Sequence, residues 1–131
     1  MVYKLIIEKN MKKESGRQMD KLFESQLENL RKHHFLILYW AAEAEVDKIK
    51  YNITNVFDDL KAYGITRTKQ SAMSYIDVLS ALCFIEVKEE SNRKNIYLSK
   101  YGEIALERLV DNNLFKLEKS IYLNQYTGGK R

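Results

Sequence analysis

Residues Ile65–Leu109, ITRTKQSAMSYIDVLSALCFIEVKEESNRKNIYLSKYGEIALERL, decide the fold because their hydrophobic period changes twice. Ala72, Ile76, Leu79 and Cys83 recur at helical steps, so Thr68 to about Leu82 reads as one helix with Thr68 as N-cap. Within it Cys83 reads as a small core hydrophobe. Phe84 to Glu90 and Asn95 to Leu98 then alternate with period two, which places Ile85, Val87, Ile96 and Leu98 on one face. The polar turn Ser91-Asn92-Arg93-Lys94 joins these runs into a hairpin. Ser99 caps a last helical region. There Leu106, Val110, Leu114, Leu117 and Ile121 form a seam about five turns long, which Asp111-Asn112-Asn113 can kink or split.

Upstream, Asn52 to Tyr63 reads as a short helix, with Ile53, Val56, Phe57, Leu60 and Tyr63 on one side. Asn52 is its N-cap and Gly64 stands where a left-handed residue is wanted. From Arg17 to about Val46 the period is again helical through Met19, Leu22, Phe23, Leu27, Leu30, Ile37, Leu38 and Ala41. This is one long helix, or two with a joint near His33-His34. Val2 to Glu8 is a short β-rich run, so residues 1–16 read as a strand or arm. Residues 126–131 read as a flexible tail. Residues 17–125 then make a single domain with its core over 34–110.

Composition narrows the class. The chain has 131 residues, 45% apolar and 31% charged, with a net charge of +4, enough for one domain with a real core and too apolar for a disordered tail. The longest apolar run, Phe35–Ala42, is far too short to span a bilayer, and Leu5-Ile6-Ile7 is followed at once by charge. The expectation is a soluble cytoplasmic protein without a membrane partner. A single cysteine excludes an intrachain disulfide framework and a Cys-rich zinc site. His33 and His34 point about 100° apart on a helix and have no third ligand to join them, so no metal is expected. Five glycines and no GxGxxG or GxxxxGK[ST] leave no phosphate loop, hence no nucleotide cofactor. Asp58-Asp59 are adjacent rather than convergent and no nucleophile elbow occurs, so the chain does not read as an enzyme.

Charge is uneven. Residues 1–21 carry +3, residues 41–60 carry −3 and residues 61–100 carry +3. A small average thus hides basic and acidic faces.

A short helix, a tight turn, a second helix and a basic-tipped hairpin between Asn52 and Ser99 describe a winged helix-turn-helix. The segment resembles the PadR-like and MarR-like DNA-binding families. Ser71, Ala72, Ile76, Leu79, Phe84-Ile85 and Leu98-Ser99-Lys100-Tyr101-Gly102 carry the likeness, over roughly residues 34–110. One departure is Cys83, where relatives place Gly between helix and strand. A Cβ disfavours a left-handed turn there, so the helix is expected to run on or leave by another route.

The resemblance implies an α+β, mainly α, winged helix-turn-helix with a three-helix core and β-hairpin wing, flanked by long N- and C-terminal helices for dimerisation. The expected function is sequence-specific double-stranded DNA binding by a dimeric transcriptional regulator on an inverted repeat. Gln70, Ser71, Ser74 and Tyr75 are the expected base readers. Arg67, Thr68, Lys69, Arg93 and Lys94 are the expected phosphate or minor-groove contacts. Leu106, Val110, Leu114, Leu117 and Ile121 are the expected homodimer interface, with the Met19–Leu30 helix beside it. Two other readings fit the same pattern: a partition-type genome-maintenance factor of a plasmid or virus, and a winged-helix protein-interaction module that does not bind DNA.

Overall fold

The central element of the chain is the helix built on its longest apolar run. In α2 (Lys32–Asp47), His34, Phe35, Leu36, Ile37, Leu38, Trp40, Ala41, Ala42 and Ala44 are all buried. A helix apolar on every side has to be wrapped by others, and the rest of the fold supplies that wrapping. The computed structural model describes residues 17–127, with side chains over 21–126. The remaining described elements are α1 (Arg17–Glu28), α3 (Ile53–Ala62), α4 (Lys69–Ala81), β1 (Ile85–Glu90), β2 (Arg93–Leu98), α5 (Lys100–Asn112) and α6 (Ile121–Thr127). The class is α+β and mainly α.

Residues 17–46 are therefore two helices, and the joint lies at 29–31, before the histidine pair rather than at it. Both histidines belong to the first turn of α2. Phe23, Leu27 and Leu30 of the first segment are buried within the chain and only Leu22 stands out, 58% exposed. This segment covers its own core, with Phe23 set against Phe84 and Tyr101. The expected arm over 1–16, the Met19 side chain and residues 128–131 lie outside the described residues. Tyr126 and Thr127, expected in the tail, belong to α6.

The caps behave as the local chemistry requires. Asn52, Thr68 and Ser99 each accept a hydrogen bond from the backbone N–H three residues on, at 2.9–3.1 Å. α3 ends in a Schellman motif in which Gly64 (φ +72°) donates to Lys61 O and Ile65 N–H to Leu60 O, both at 2.9 Å. α4 ends the same way, and here the expectation fails. Cys83 adopts φ +64° despite its Cβ. Its N–H donates to Ser80 O at 3.0 Å and Phe84 N–H donates to Leu79 O at 2.9 Å. The helix does not run on. Phe84 is fully buried, and burying it turns Cys83 outward as an exposed thiol rather than a core hydrophobe.

β1 and β2 pair antiparallel with Ile85 opposite Leu98 and Val87 opposite Ile96 on one face. The turn is only two residues, Ser91 and Asn92, both at positive φ as a tight hairpin requires. Arg93 and Lys94 thus open β2 instead of sitting in the turn. Tyr51 O accepts from Ile96 N–H at 2.8 Å and Asn52 bridges Asn95, which ties the start of α3 to the hairpin.

The C-terminal seam is not one helix. Asn113 takes a left-handed conformation (φ +54°) and ends α5. Leu106 is fully buried in the core and Val110 packs against it. Leu114, Leu117 and Ile121 lie on the following irregular segment and the start of α6, 68%, 48% and 43% exposed. That segment is strapped across α2 and α3. Trp40 Nε1 donates to Glu118 O at 2.8 Å and Tyr63 Oη to Lys119 O at 2.5 Å. Asp59, buried on α3, receives Tyr51 Oη and Ser120 Oγ at 2.5 Å on one oxygen. Its other oxygen receives the N–H groups of Ile121 and Tyr122 at 3.0 Å. No helix among the described residues is long and apolar enough to cross a membrane.

Candidate nucleic-acid interface

The ladder between Tyr51 and Ile96 brings the first turn of α3, the first turns of α4 and the hairpin tip around one cleft of about 550 Å³. Asn52, Ile53 and Thr54 line it from α3, Lys69 and Met73 from α4, and Ser91, Asn92, Arg93 and Lys94 from the hairpin. Three cations and no carboxylate face this space. Lys69 is held there by donating to Thr54 Oγ1 at 3.1 Å.

Of the acids beside the tip, Glu90 is occupied. In the ladder Glu90 stands opposite Arg93 and Glu89 opposite Lys94. Glu90, however, accepts from Tyr97 Oη and from Asn95 Nδ2, with Lys50 Nζ 3.6 Å away. The hydrogen bond from Tyr97, then that from Asn95, hold its carboxyl below the usual carboxylate range. This acid of β1 is tied to Asn95 and Tyr97, further along β2, so Arg93 is left to face the cleft.

The expected site residues divide into three groups on α4. With about 100° between successive residues and Ala72, Ile76 and Leu79 buried, Gln70 and Ser74 point away from the core, and both are exposed. Lys69 and Met73 lie on the flank toward the cleft. Ser71 and Tyr75 lie on the other flank and are half-buried. The Ser71 hydroxyl receives the Thr68 hydroxyl at 2.9 Å while Thr68 caps the helix, so both serve the helix start. The Tyr75 ring stacks on His33 with centroids 3.9 Å apart. Its flank position is the one its place on the helix gives, but the His33 cover over that face has no signal in the sequence. Arg67 is exposed just before the cap.

Neither a family model nor a curated protein matches this chain.

The His33–Tyr75 stack continues into His34, whose ring centroid is 4.1 Å from that of His33. His34 Nδ1 accepts the Arg31 N–H at 3.0 Å, so the ring caps α2 from its third position and does so only when neutral. Burial, then the neighbouring His33 and Arg31, push its pKa down to about 4. Burial and Arg31 lower that of His33 as well. Among the described residues no three His, Cys, Asp or Glu side chains gather to hold a metal.

Sequence reasoning missed Asn52 and Thr54 as cleft residues. Their signal was present in the cap of the preceding helix, because the residue that starts a helix is also the one its N-terminal end presents. It also missed Asp59, read as one of two idle neighbouring carboxylates.

Proposed function

We propose that the protein is a winged helix-turn-helix DNA-binding protein, with α4 as the recognition helix and the β1–β2 hairpin as the wing. The observation that carries this reading is the acid-free cleft, in which Lys69, Arg93 and Lys94 from two separate elements face one space beside a polar outward helix face. A phosphate backbone satisfies such a cluster. Gln70 and Ser74 then enter a major groove about 12 Å wide, where Gln pairs with the N6/N7 edge of adenine. Met73, 37% exposed, meets sugar or thymine methyl groups at the groove wall. The order of short helix, tight turn, second helix and hairpin with Arg93 and Lys94 at its tip supports the same reading.

The biological role proposed is a transcriptional regulator that acts by occupying its site as a homodimer. The exposed Leu114, Leu117 and Ile121 support self-association; Leu106 has no part in it, because it lies in the core. Light scattering at micromolar concentration tests the dimer, and Leu114→Asp or Leu117→Asp is expected to give monomers that bind DNA more weakly.

Selection of bound duplexes from a random library at roughly 0.1–0.2 M salt tests the whole reading, since non-specific binding weakens steeply in that range. The expected result is an enriched inverted repeat. A long footprint that spreads without a repeat favours the genome-maintenance role. Failure to retain any duplex would overturn the DNA reading and leave a protein-interaction module.

A further inference from the structure

A helix lying in a major groove has a phosphate strand on each side of it, yet the cleft accounts for only one flank of α4. The other flank carries Ser71 and Tyr75, and Tyr75 is covered by His33 at 3.9 Å. This stack brings the start of α2 alongside the recognition helix. Arg31 and Lys32 directly precede His33 in sequence, and Arg31 lies near enough to both histidine rings to act on them electrostatically.

The two cations differ in what holds them. Lys32 Nζ is 3.7 Å from the Glu118 carboxylate, so much of its charge is answered within the chain. Arg31 is exposed and enters no ion pair among the described residues. The start of α2, which carries this unpaired cation two residues before His33, thus meets α4 through Tyr75, on the flank opposite Lys69.

We propose that Arg31 is a phosphate-contacting residue of the DNA interface, engaging the strand that the cleft and wing do not reach, with the His33–Tyr75 stack fixing its flank of α4. The inference rests on the DNA reading above and adds a second cationic edge to it. α4 then lies between two positive borders set on opposite sides of its reading face, which suits a groove bounded by two strands and suits an acidic protein surface less well. Arg31 is assigned to positioning, since a phosphate contact carries no base identity.

The test is the salt dependence of duplex binding by the full-length protein, followed by fluorescence anisotropy on the selected site and on random DNA. Arg31→Gln is expected to weaken both duplexes by the same factor. It should also lower the slope of log K against log salt by about 0.9 for each protomer that loses its contact. Arg31→Lys should restore most of the slope, because an ammonium still neutralises a phosphate. Lys32→Gln should change it much less. Methylphosphonate placed at the contacted phosphate should weaken the wild type and leave Arg31→Gln indifferent.

An unchanged slope in Arg31→Gln, alongside a lowered slope in Lys69→Gln, would overturn the second edge and leave DNA binding through the cleft intact. A wild-type protein that holds no duplex would overturn both together. Circular dichroism of Arg31→Gln is expected to match the wild type, since the cap of α2 uses only the Arg31 backbone, its N–H donating to His34 Nδ1 and its carbonyl accepting from Phe35 N–H.

Discussion

Gly102→Ala places a methyl group where the backbone leaves no room for one. Gly102 is the third residue of α5, with Ser99 as N-cap, and its N–H donates to Ser99 Oγ at 2.9 Å. A Cβ there would stand 1.9 Å from the Phe84 carbonyl oxygen, 2.8 Å from its carbon and 2.9 Å from Leu98 Cδ1. The Leu98 methyl can rotate away, but the Phe84 carbonyl cannot. It accepts the Ser99 N–H at 3.0 Å, and the Ser99 hydroxyl donates to the adjacent Cys83 carbonyl at 2.6 Å. Relieving the contact means moving α5 from the exit of α4 by more than an ångström. Overpacking of this kind costs about 1–3 kcal/mol. The strained Ser99 bond and cap add about 1–2 kcal/mol. The better helix propensity of Ala returns at most about 1 kcal/mol. The net loss is about 1–4 kcal/mol. Urea unfolding followed by Trp40 emission, with an m-value of about 2 kcal/mol/M, should show the midpoint falling by about 0.5–2 M. Gly64→Ala is the control. Its φ is +72° but nothing lies within 4 Å of the added Cβ, so only backbone strain of about 1 kcal/mol applies. If Gly102→Ala matched the wild type, or if Gly64→Ala were the more damaging, close approach would not be what fixes this position.

Cys83→Gly should act in the opposite direction, stabilising by about 0.5–1 kcal/mol and raising Tm by about 2–5 °C, because it removes a Cβ from a left-handed position and takes nothing from the core. An unchanged or lower Tm in calorimetry would refute the strain argument. His34 makes stability depend on pH: with a folded pKa of about 4 against 6.5 unfolded, its contribution is complete above pH 6.5 and drains as pH falls toward 4. The slope is at most about 1.4 kcal/mol per pH unit, and the total on the order of 2 kcal/mol for a ring only partly shielded from water. His34→Gln keeps an acceptor for Arg31 N–H but does not titrate, so the stability of the variant relative to wild type should rise as pH falls from 6.5 to 4.5. Burial raises the carboxyls of Glu45 and Glu103, which work in the opposite sense, so that difference is the quantity to measure. For Asp59, Ala should cost about 3–4 kcal/mol and Asn less. The Tyr51 and Ser120 hydroxyls can turn to accept from an amide, whereas Ala leaves the N–H groups of Ile121 and Tyr122 unanswered. Trp40 emission, tied to the strap through Glu118 O, should shift before global unfolding in Asp59→Ala.

The parts of the fold legible in the sequence are those set by chemistry within a few residues. Asn52, Thr68 and Ser99 cap because a short polar side chain reaches the N–H three residues ahead, and no distant partner is needed. The period change at Phe84 marks the hairpin for the same reason. What could not be read depends on long-range contact. Cys83 breaks its local preference because Phe84 gains a fully buried place and the last carbonyls of α4 gain two bonds. Asp59 is a hub because Ser120, Ile121 and Tyr122, some sixty residues on, fold back over it. The helical spacing through Leu117 is real, but a left-handed Asn113 cuts it, and a spacing pattern does not reveal where an asparagine will take that conformation. In the candidate site, the flank of Tyr75 follows from its position on the helix, whereas its partner His33 does not.

The helix ends give the site an energetic logic. Aligned peptide dipoles favour acids in the first turn of a helix, by about 0.3–1 kcal/mol each. α5 follows the rule with Glu103, and its start is packed against Phe84 and Leu98. α2, α3 and α4 have no acid in their first turns. α2 begins with Arg31 and Lys32, and α4 with Lys69 just after Arg67. Each of these cations sits where the dipole opposes it, and only Lys32, beside Glu118, has an ion pair within the described residues to offset that cost. The starts of α3 and α4 meet in the cleft, and that of α2 reaches α4 through His33 and Tyr75. Three helix ends without a first-turn acid thus gather around one helix. A polyanion bound on that side reverses the sign of the cost, because its phosphates supply the negative charge that the helix starts lack. Sequence departures of this kind are expected at functional surfaces, and the positions where they occur are the positions at which the proposed duplex would lie.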